Sequence, residues 1–319
     1  MKWIKKGKLF DPTSHGLNFD CNNYAQSPQT IVFKEHVRIY FSTRKKDQTG
    51  KFLSEIAFVD FDKELKELIN FSKKEVIPLG KLGCFDEHGI FPINPLLHNG
   101  QIMAYTCGWN RRVSVSVDTS TGLAISDDNG DTFKKIGDGP VLSSSLKEPM
   151  LVGDSFVKVF DGVFHMWYIF GKNWIEAQND EPPARVYKIA HATSNDGVSW
   201  EKKDGVEIIG SVIDENECQA LPTVIKHSGY YHMYFCFRHA TDFRKNPERG
   251  YRLGYAYSHD LVNWIRDDSI GGIEKSENGW DSEMMCYPHI FAVENNIYLL
   301  YNGNEFGKYG FGLAQLIDI

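Results

Sequence analysis

The sequence predicts an all-β chain: a five-bladed β-propeller of four-stranded antiparallel blades, closed by the N-terminal strand completing the last blade, with residues 1–319 forming one domain. Three observations predict it. A polar turn motif recurs along the chain, a hairpin signature precedes each copy, and almost no segment sustains the 3.6-residue apolar period of a helix.

The turn is clearest in "KIAHATSNDGVSW" (188–200), "GLAISDDNGDTF" (122–133) and "RLGYAYSHDLVNW" (252–264), with weaker relatives in "EIAFVDFDKEL" (55–65) and "GFGLAQLIDI" (310–319). The shared alanines, Ala57, Ala124, Ala192, Ala256 and Ala314, are spaced by 67, 68, 64 and 58 residues. That period is too long for a helical solenoid and suits propeller blades. Each copy alternates apolar and polar residues up to the turn and continues into segments such as "SWEKKDGVEII", the pattern of two antiparallel strands. Asp, Asn and Gly supply the turn positions, and the Trp or Phe after the turn is expected to pack between neighbouring sheets.

Ahead of each copy lies a second hairpin, as in "DSFVKVFDGVFHMWYIFG" (154–171) and "LPTVIKHSGYYHMYFCFR" (221–238). These are the expected inner two strands of each blade, and the mid-strand aromatics Trp167, Tyr168, Tyr234 and Phe235 are expected to be core. The segment 60–70 has some helical character, but its place in the repeat predicts strand and loop. The last copy has no fourth strand, whereas the chain begins with "KWIKKGKLFDP", which matches the fourth strands "SWEKKDGVEII" and "NWIRDDSIGGI". Trp3 is therefore expected to take the part of Trp200 and Trp264, removing two exposed sheet edges.

Composition narrows the function. A net charge of -7, with no run of five like charges, leaves no electrostatic footprint for nucleic acid. No stretch approaches 18 consecutive apolar residues, so no membrane span is expected. The N-terminus is basic, but polar "DPTSHG" stands where a signal peptide needs an apolar run. Six widely spaced cysteines without a CxxC pair are expected to be free thiols in a reducing cytoplasm. No HExxH, GxSxG or P-loop motif is present, nor a GxGxxG in its proper context, which excludes zincins, serine hydrolases, nucleotide kinases and Rossmann enzymes.

Candidate chemistry lies ahead of the inner strands. "EHGIFP" (87–92), "ECQALP" (217–222) and "EMMCYP" (283–288) each place a Glu five residues before a Pro; blade one offers Asn23 there, and blade three departs with Glu148 and Asp154. If the register holds, Glu87, Glu217 and Glu283 converge on one mouth of the channel, with Glu148, Asp154, Asp86 and Asp281 close behind. Crowded carboxylates cannot all ionise freely, which is one way an acid/base pair is made. The alternative is that these acids accept backbone amides at strand starts, a repeat-building role. Sugar-binding candidates are His88, Trp109, Arg112, Arg238, Asn302 and Asn304, since aromatic faces stack on sugar rings and amide or guanidinium groups donate to hydroxyls. An oxygen-rich ring also suits calcium, but no known binding-loop spacing accompanies it, so no metal or cofactor is expected.

The turn, together with "DGVFHMWY" and "SGYYHMYF", resembles the five-bladed propeller glycosidases: arabinanases and xylosidases, invertases and levansucrases, and the mannoside phosphorylases. The likeness covers nearly the whole chain. "SDDNGDTF" also resembles the Asp-box turn of sialidases, with Phe133 in place of Trp. The resemblance implies a catalytic Asp on blade one, a supporting Asp on blade two and an acid Glu on blade three. Here the blade-one strand reads "YAQSP" with no Asp, Asp20 being the nearest, and the pair Glu217–Cys218, which resembles the invertase acid motif, falls on blade four.

The expectation is a carbohydrate-active enzyme that cleaves or transfers a glycosyl group, with one carboxylic acid as proton donor and a second carboxylate as base or nucleophile. Glu217 and Glu87 come first, then Glu283 and Asp154, with Glu148, Asp281 and the polar and aromatic residues above binding a small carbohydrate. Two alternatives stand beside it. One is a sugar-binding propeller without catalysis, favoured by the missing Asp; the other is a glycoside phosphorylase with a phosphate pocket built from Arg111, Arg112, Arg238 and Arg244.

Overall fold

The computed structural model describes residues 1–14, 22–176 and 182–318. The chain opens with β1 (Lys2–Phe10) and continues through β2 (Asn22–Val32), β3 (His36–Lys46), β4 (Phe52–Asp62) and β5 (Leu68–Phe71). Next come β6 (Gly89–His98), β7 (Gln101–Arg111), β8 (Val117–Ser126) and β9 (Lys134–Lys135), then β10 (Val152–Phe160), β11 (Val163–Ile175), β12 (Ala184–Ser194) and β13 (Glu201–Lys202). The last strands are β14 (Cys218–His227), β15 (Tyr230–Arg238), β16 (Arg252–Ser258), β17 (Ile265–Arg266), β18 (Cys286–Val293), β19 (Asn296–Asn302) and β20 (Phe311–Asp318).

These strands form four-stranded antiparallel groups. β10 to β13 and β14 to β17 are separate sheets in sequence order, and β1, β20, β19 and β18 form another. β2 to β5 and β6 to β9 are joined into one sheet by a single parallel bridge, Ser54 to Gly89. β1 pairs antiparallel with β20, Trp3 lying opposite Leu316. Residues 60–70 are the end of β4, a turn and the start of β5, with no helix. Trp167, Tyr168, Tyr234 and Phe235 are fully buried, as their mid-strand positions predict. No helix is long and apolar enough to cross a membrane.

The recurrent turn joins neighbouring groups. In each clear copy a Ser hydroxyl donates to the Asp two residues on, as in Ser194 to Asp196 (2.9 Å) and Ser258 to Asp260 (3.1 Å). The Asp in turn accepts backbone amides: Asp196 takes those of Val198 and Ser199, which hold its carboxyl at about 2. This rigid loop presents the Gly197 carbonyl to the Tyr105 hydroxyl of the preceding group (2.9 Å), and the Gly130 carbonyl to Tyr40 (2.7 Å). The aromatic after the turn packs on the same neighbour: Phe133 on Tyr40, Trp200 on Tyr105, Trp264 on Trp167. Trp3 does likewise, its indole donating to the Tyr234 hydroxyl at 2.9 Å. Positions that look like a repeated polar turn are thus the contacts between sheets.

In four of the five groups a second repeated contact fastens the outermost strand to the loop that leads into the innermost one. Glu148 meets Lys202 of β13 at 2.5 Å, Glu217 meets Arg266 of β17 at 2.6 Å, and Asp281 meets Lys5 of β1 at 2.7 Å. Asp86 pairs with Lys135 of β9 in the same way. All four acids are buried, and hydrogen bonds complete most of their shells: Glu148 accepts from the Tyr168 hydroxyl and the Gly205 amide, Asp281 from the Tyr301 hydroxyl. Glu217 accepts from the amides of Val212 and Ile213 and from the Gln219 side chain. Removing one partner of such a pair leaves a buried charge uncompensated, at a cost of about 3–5 kcal/mol. Glu217→Ala is therefore expected to lower unfolding free energy by about that amount in urea melts, and Glu217→Leu combined with Arg266→Met to restore most of it. Equal loss in the single and double variants would contradict the pairing.

Candidate active site

Every innermost strand carries the same irregularity. The pairing register slips between Gln26 and Gln29 in β2, Ile90 and Ile93 in β6, Gly153 and Phe156 in β10, Ala220 and Thr223 in β14, and Cys286 and His289 in β18. At four of these bulges a residue sits in the left-handed region: Ser27 (φ 53°), Asp154 (φ 50°), Leu221 (φ 48°) and Tyr287 (φ 56°). A bulge turns one side chain out of the strand's alternation. In sequence these residues stand immediately before Pro28, Ser155, Pro222 and Pro288, and the β6 counterpart is Phe91 before Pro92. Among the five, only Asp154 bears a charge.

A cavity of about 500 Å³ opens at this level, lined by residues of all the strand groups, including Phe91, Asp154 and Tyr287 from the bulges. Its apolar walls are Trp109, Phe52, Phe243 and Phe306. Four arginines face it: Arg44, Arg185, Arg238 and Arg244. Asp154 is the one carboxylate among the lining residues. Burial raises the Asp154 carboxyl to about 7, against lowering by Arg185, the Leu221 amide and the Cys107 thiol. At neutral pH it is held near half protonation, the condition for proton transfer. Gly153 must lack a side chain, because a Cβ there would overlap the Cys107 sulfur and press on Thr119.

These arginines differ from the others held inside the sheets. Arg38 forks onto Asp60 at 2.7 and 2.8 Å, and Arg266 holds Glu217. In contrast, none of the cavity arginines has a carboxylate partner among the described residues. Arg238 is 2% exposed and spends its Nη groups on the carbonyls of His239 and Ala240 and on the Tyr187 hydroxyl, and its Nε has no partner. It is stacked over Phe243, 3.6 Å from the ring centroid. Arg44 lies over Tyr24 and donates to Gln26. Desolvation, Arg238 and Arg185 together pull Arg244 below its ordinary value.

Of the residues singled out in the sequence, Asp154, Trp109, Arg238 and Arg244 meet in this cavity. Glu217, Glu148 and Asp281 do not line it; they are the buried anchors of the outer strands. Glu87 caps its own loop by accepting the Gly83 amide (2.9 Å), and Glu283 is exposed, its backbone amide held by Asn304. The expected convergence of glutamates on one mouth is thus replaced by a repeat-building role, because the buried acids are drawn to cations of their own sheets and Glu87 to its own loop. Asn302 is fully buried and ties β19 to β2, accepting the Ser27 amide and donating to the Ala25 carbonyl, both at 2.8 Å. Asn304 braces the Gly279–Met284 loop. His88 stacks on Trp109 and is not itself among the lining residues. Arg112 pairs with Asp118 and Arg111 with Asp47, so neither joins Arg238 and Arg244. Asn23 of the blade-one motif and Asp20 lie outside what is described, Asn23 in its side chain. Among the described residues no cluster of three or more His, Cys, Asp or Glu side chains assembles to hold a metal.

Arg44 and Arg185 were missed from sequence. A signal for the first exists: Arg44, Trp109 and Arg238 each stand four residues after a second-strand tyrosine, Tyr40, Tyr105 and Tyr234. Arg185 is the second residue of β12, where no repeat marks it.

The β-propeller fold is shared with several solved proteins that act on carbohydrates. A solved glycoside hydrolase superposes with a TM-score of 0.72 at 16% identity, covering 99% of this chain and 92% of the other. The β-1,2-mannobiose phosphorylase of Listeria innocua, solved with β-1,2-mannobiose, gives a TM-score of 0.68 at 11% identity, covering 99% and 97%. By sequence, the chain belongs to the family of the "Uncharacterized protein Rv1502" of Mycobacterium tuberculosis, 31% identical over 318 residues and 99% of each chain. A 1,2-β-oligomannan phosphorylase of a Thermoanaerobacter species is 28% identical over 203 residues, 62% of this chain and 57% of that protein. No protein-family profile matches the chain.

The geometry around Asp154 predicts that Gly153→Ala destabilises the protein by about 1–3 kcal/mol in urea melts through overpacking, and that Cys107→Ala in the same chain recovers part of the loss. Full stability in Gly153→Ala would contradict the close approach of Cys107.

Proposed function

We propose that the five strand groups are the blades of one propeller spanning residues 1–319, closed by β1, and that the protein transfers a glycosyl group from a glycoside to inorganic phosphate. The observation that carries this reading is the cavity lining: one carboxylate near neutrality, Asp154, faced by four arginines without acid partners among the described residues. Hydrolysis by the usual route needs two carboxylates flanking the scissile bond, one as proton donor and one as base or nucleophile. Here the other buried acids are spent on the sheets. Phosphate supplies the missing nucleophile, and guanidinium forks are suited to hold it.

In the proposed reaction the protonated Asp154 carboxyl gives its proton to the glycosidic oxygen as the bond from that oxygen to the anomeric carbon breaks. A phosphate oxygen forms the new bond to that carbon. The products are a glycosyl phosphate and the free alcohol, and Asp154 leaves as carboxylate. Trp109 offers a face to the sugar. The sequence likeness to a 1,2-β-oligomannan phosphorylase, 28% identical over 203 residues, supports the phosphate-dependent reading.

Assays on β-mannosides and aryl glycosides with and without phosphate test it. Turnover is expected to require phosphate; phosphate-independent turnover would support hydrolysis, and none on any glycoside would favour a binding protein. Asp154→Asn is expected to lose at least about 10²-fold in kcat, the typical contribution of a general acid. Because the donor must be protonated, the rate is expected to fall as pH rises through about 7. A pH profile flat from 6 to 9 would remove Asp154 from that role.

A further inference from the structure

A second cavity, of about 740 Å³, adjoins the first across a wall shared by both: Arg185, Arg238, Phe243 and Arg244. Resting on the phosphorolytic reading, we infer that this outer cavity receives the leaving-group half of the glycoside, and that this half carries its own anionic group, a carboxylate or a phosphate ester.

The argument is one of charge. Elsewhere the chain sets its inward-held arginines against acids: Arg38 has Asp60 and Arg266 has Glu217. Of the shared arginines Arg238 is buried, Arg185 half-buried and Arg244 exposed. A buried ion without a partner is costly, so an incoming anion at this wall gains most at Arg238, while Arg244 is open to it from solvent. The outer cavity has two carboxylates of its own, Glu176 and Asp242, but both are exposed to solvent and neither forms an ion pair with these arginines among the described residues. With Asp154 protonated for its task, the four guanidinium charges of the inner cavity face no anion among the described lining residues. One phosphate brings about −1.5 to −2 at neutral pH, which leaves roughly two of those positive charges unanswered. Arg244 is the group at which that excess falls. It stands on the wall with an accessible edge, stacked on Phe243 (4.4 Å), beside Phe306 (5.7 Å), and crowded by the like charges of Arg238 and Arg185. An apolar ring stack with an unanswered guanidinium edge suits a sugar that bears an acid.

Calorimetric titration at low ionic strength tests this. Inorganic phosphate is titrated first; the phosphate-saturated protein then receives glucuronate, galacturonate, glucose 6-phosphate or mannose 6-phosphate, each beside its neutral parent sugar. At least one acidic sugar is expected to bind ten-fold or more tightly than its parent without displacing phosphate, uronates and phosphate esters showing which acid is preferred. Arg244→Gln is expected to weaken the acidic sugar at least ten-fold and phosphate by less, with Arg244→Lys intermediate. Neutral sugars binding as well as acidic ones, displacement of phosphate by the acidic sugar, or equal loss of both ligands in Arg244→Gln would overturn the second anion position. Binding of acidic sugars without any binding of phosphate would instead sink the phosphorolytic reading and leave the acidic substrate standing.

Discussion

The buried acid–base pair that, in four of the five groups, joins the loop entering the inner strand to the outermost strand is the contact on which the rest depends. Two-residue strands such as β9, β13 and β17 have little ladder of their own to hold them. The charge pairs Asp86–Lys135, Glu148–Lys202 and Glu217–Arg266 supply what the ladders lack, and Lys5–Asp281 does the same for the N-terminal strand. An ion pair taken out of water is favourable only with good geometry and a filled hydrogen-bond shell. The tyrosine hydroxyls and backbone amides around Glu148 and Glu217 meet that condition.

This use of acids shapes the site. Once the acids ahead of the inner strands are committed to fastening sheets, the cavity holds only the carboxylate that arrives by another route, the bulge at Asp154. In the other four groups the equivalent place carries Ser27, Phe91, Leu221 and Tyr287, none of which ionises near neutrality. The same structural device, a slipped register at each inner strand, therefore delivers four uncharged residues and one proton-exchanging group. The arginines answer from the ends of the second and third strands and from the loop after β15, so that the cationic side of the cavity and its single acid come from different layers of the repeat.

The fold was legible because its signals are local. Strand alternation, the Ser–x–Asp turn and the following aromatic each appear within a dozen residues, and even the pairing of β1 with β20 could be read from the likeness of Trp3 to Trp200 and Trp264. The site was legible only in part. Glu87, Glu217 and Glu283 form a pattern in sequence whatever they do, and a repeated acid that pairs with a repeated base looks the same as a ring of catalytic carboxylates until Lys202 and Arg266 are seen beside Glu148 and Glu217. Asp154 was visible as a departure from the pattern, since Ser155 stands where the other inner strands have proline. What was hidden is the partnering of arginines: Arg111 and Arg112 resemble Arg238 and Arg244 in composition, and only geometry shows that the first two have carboxylates and that the last two have none among the described residues.

A carbon-13 NMR titration of the Asp154 carboxyl in the intact protein tests this account most directly, because it reads the environment of the one acid left in the cavity without needing a substrate. The account predicts a midpoint near 7, raised by burial. A midpoint at the ordinary aspartate value of about 4 would mean that Asp154 is an open, solvated carboxylate, and would contradict its role as the proton donor of the site.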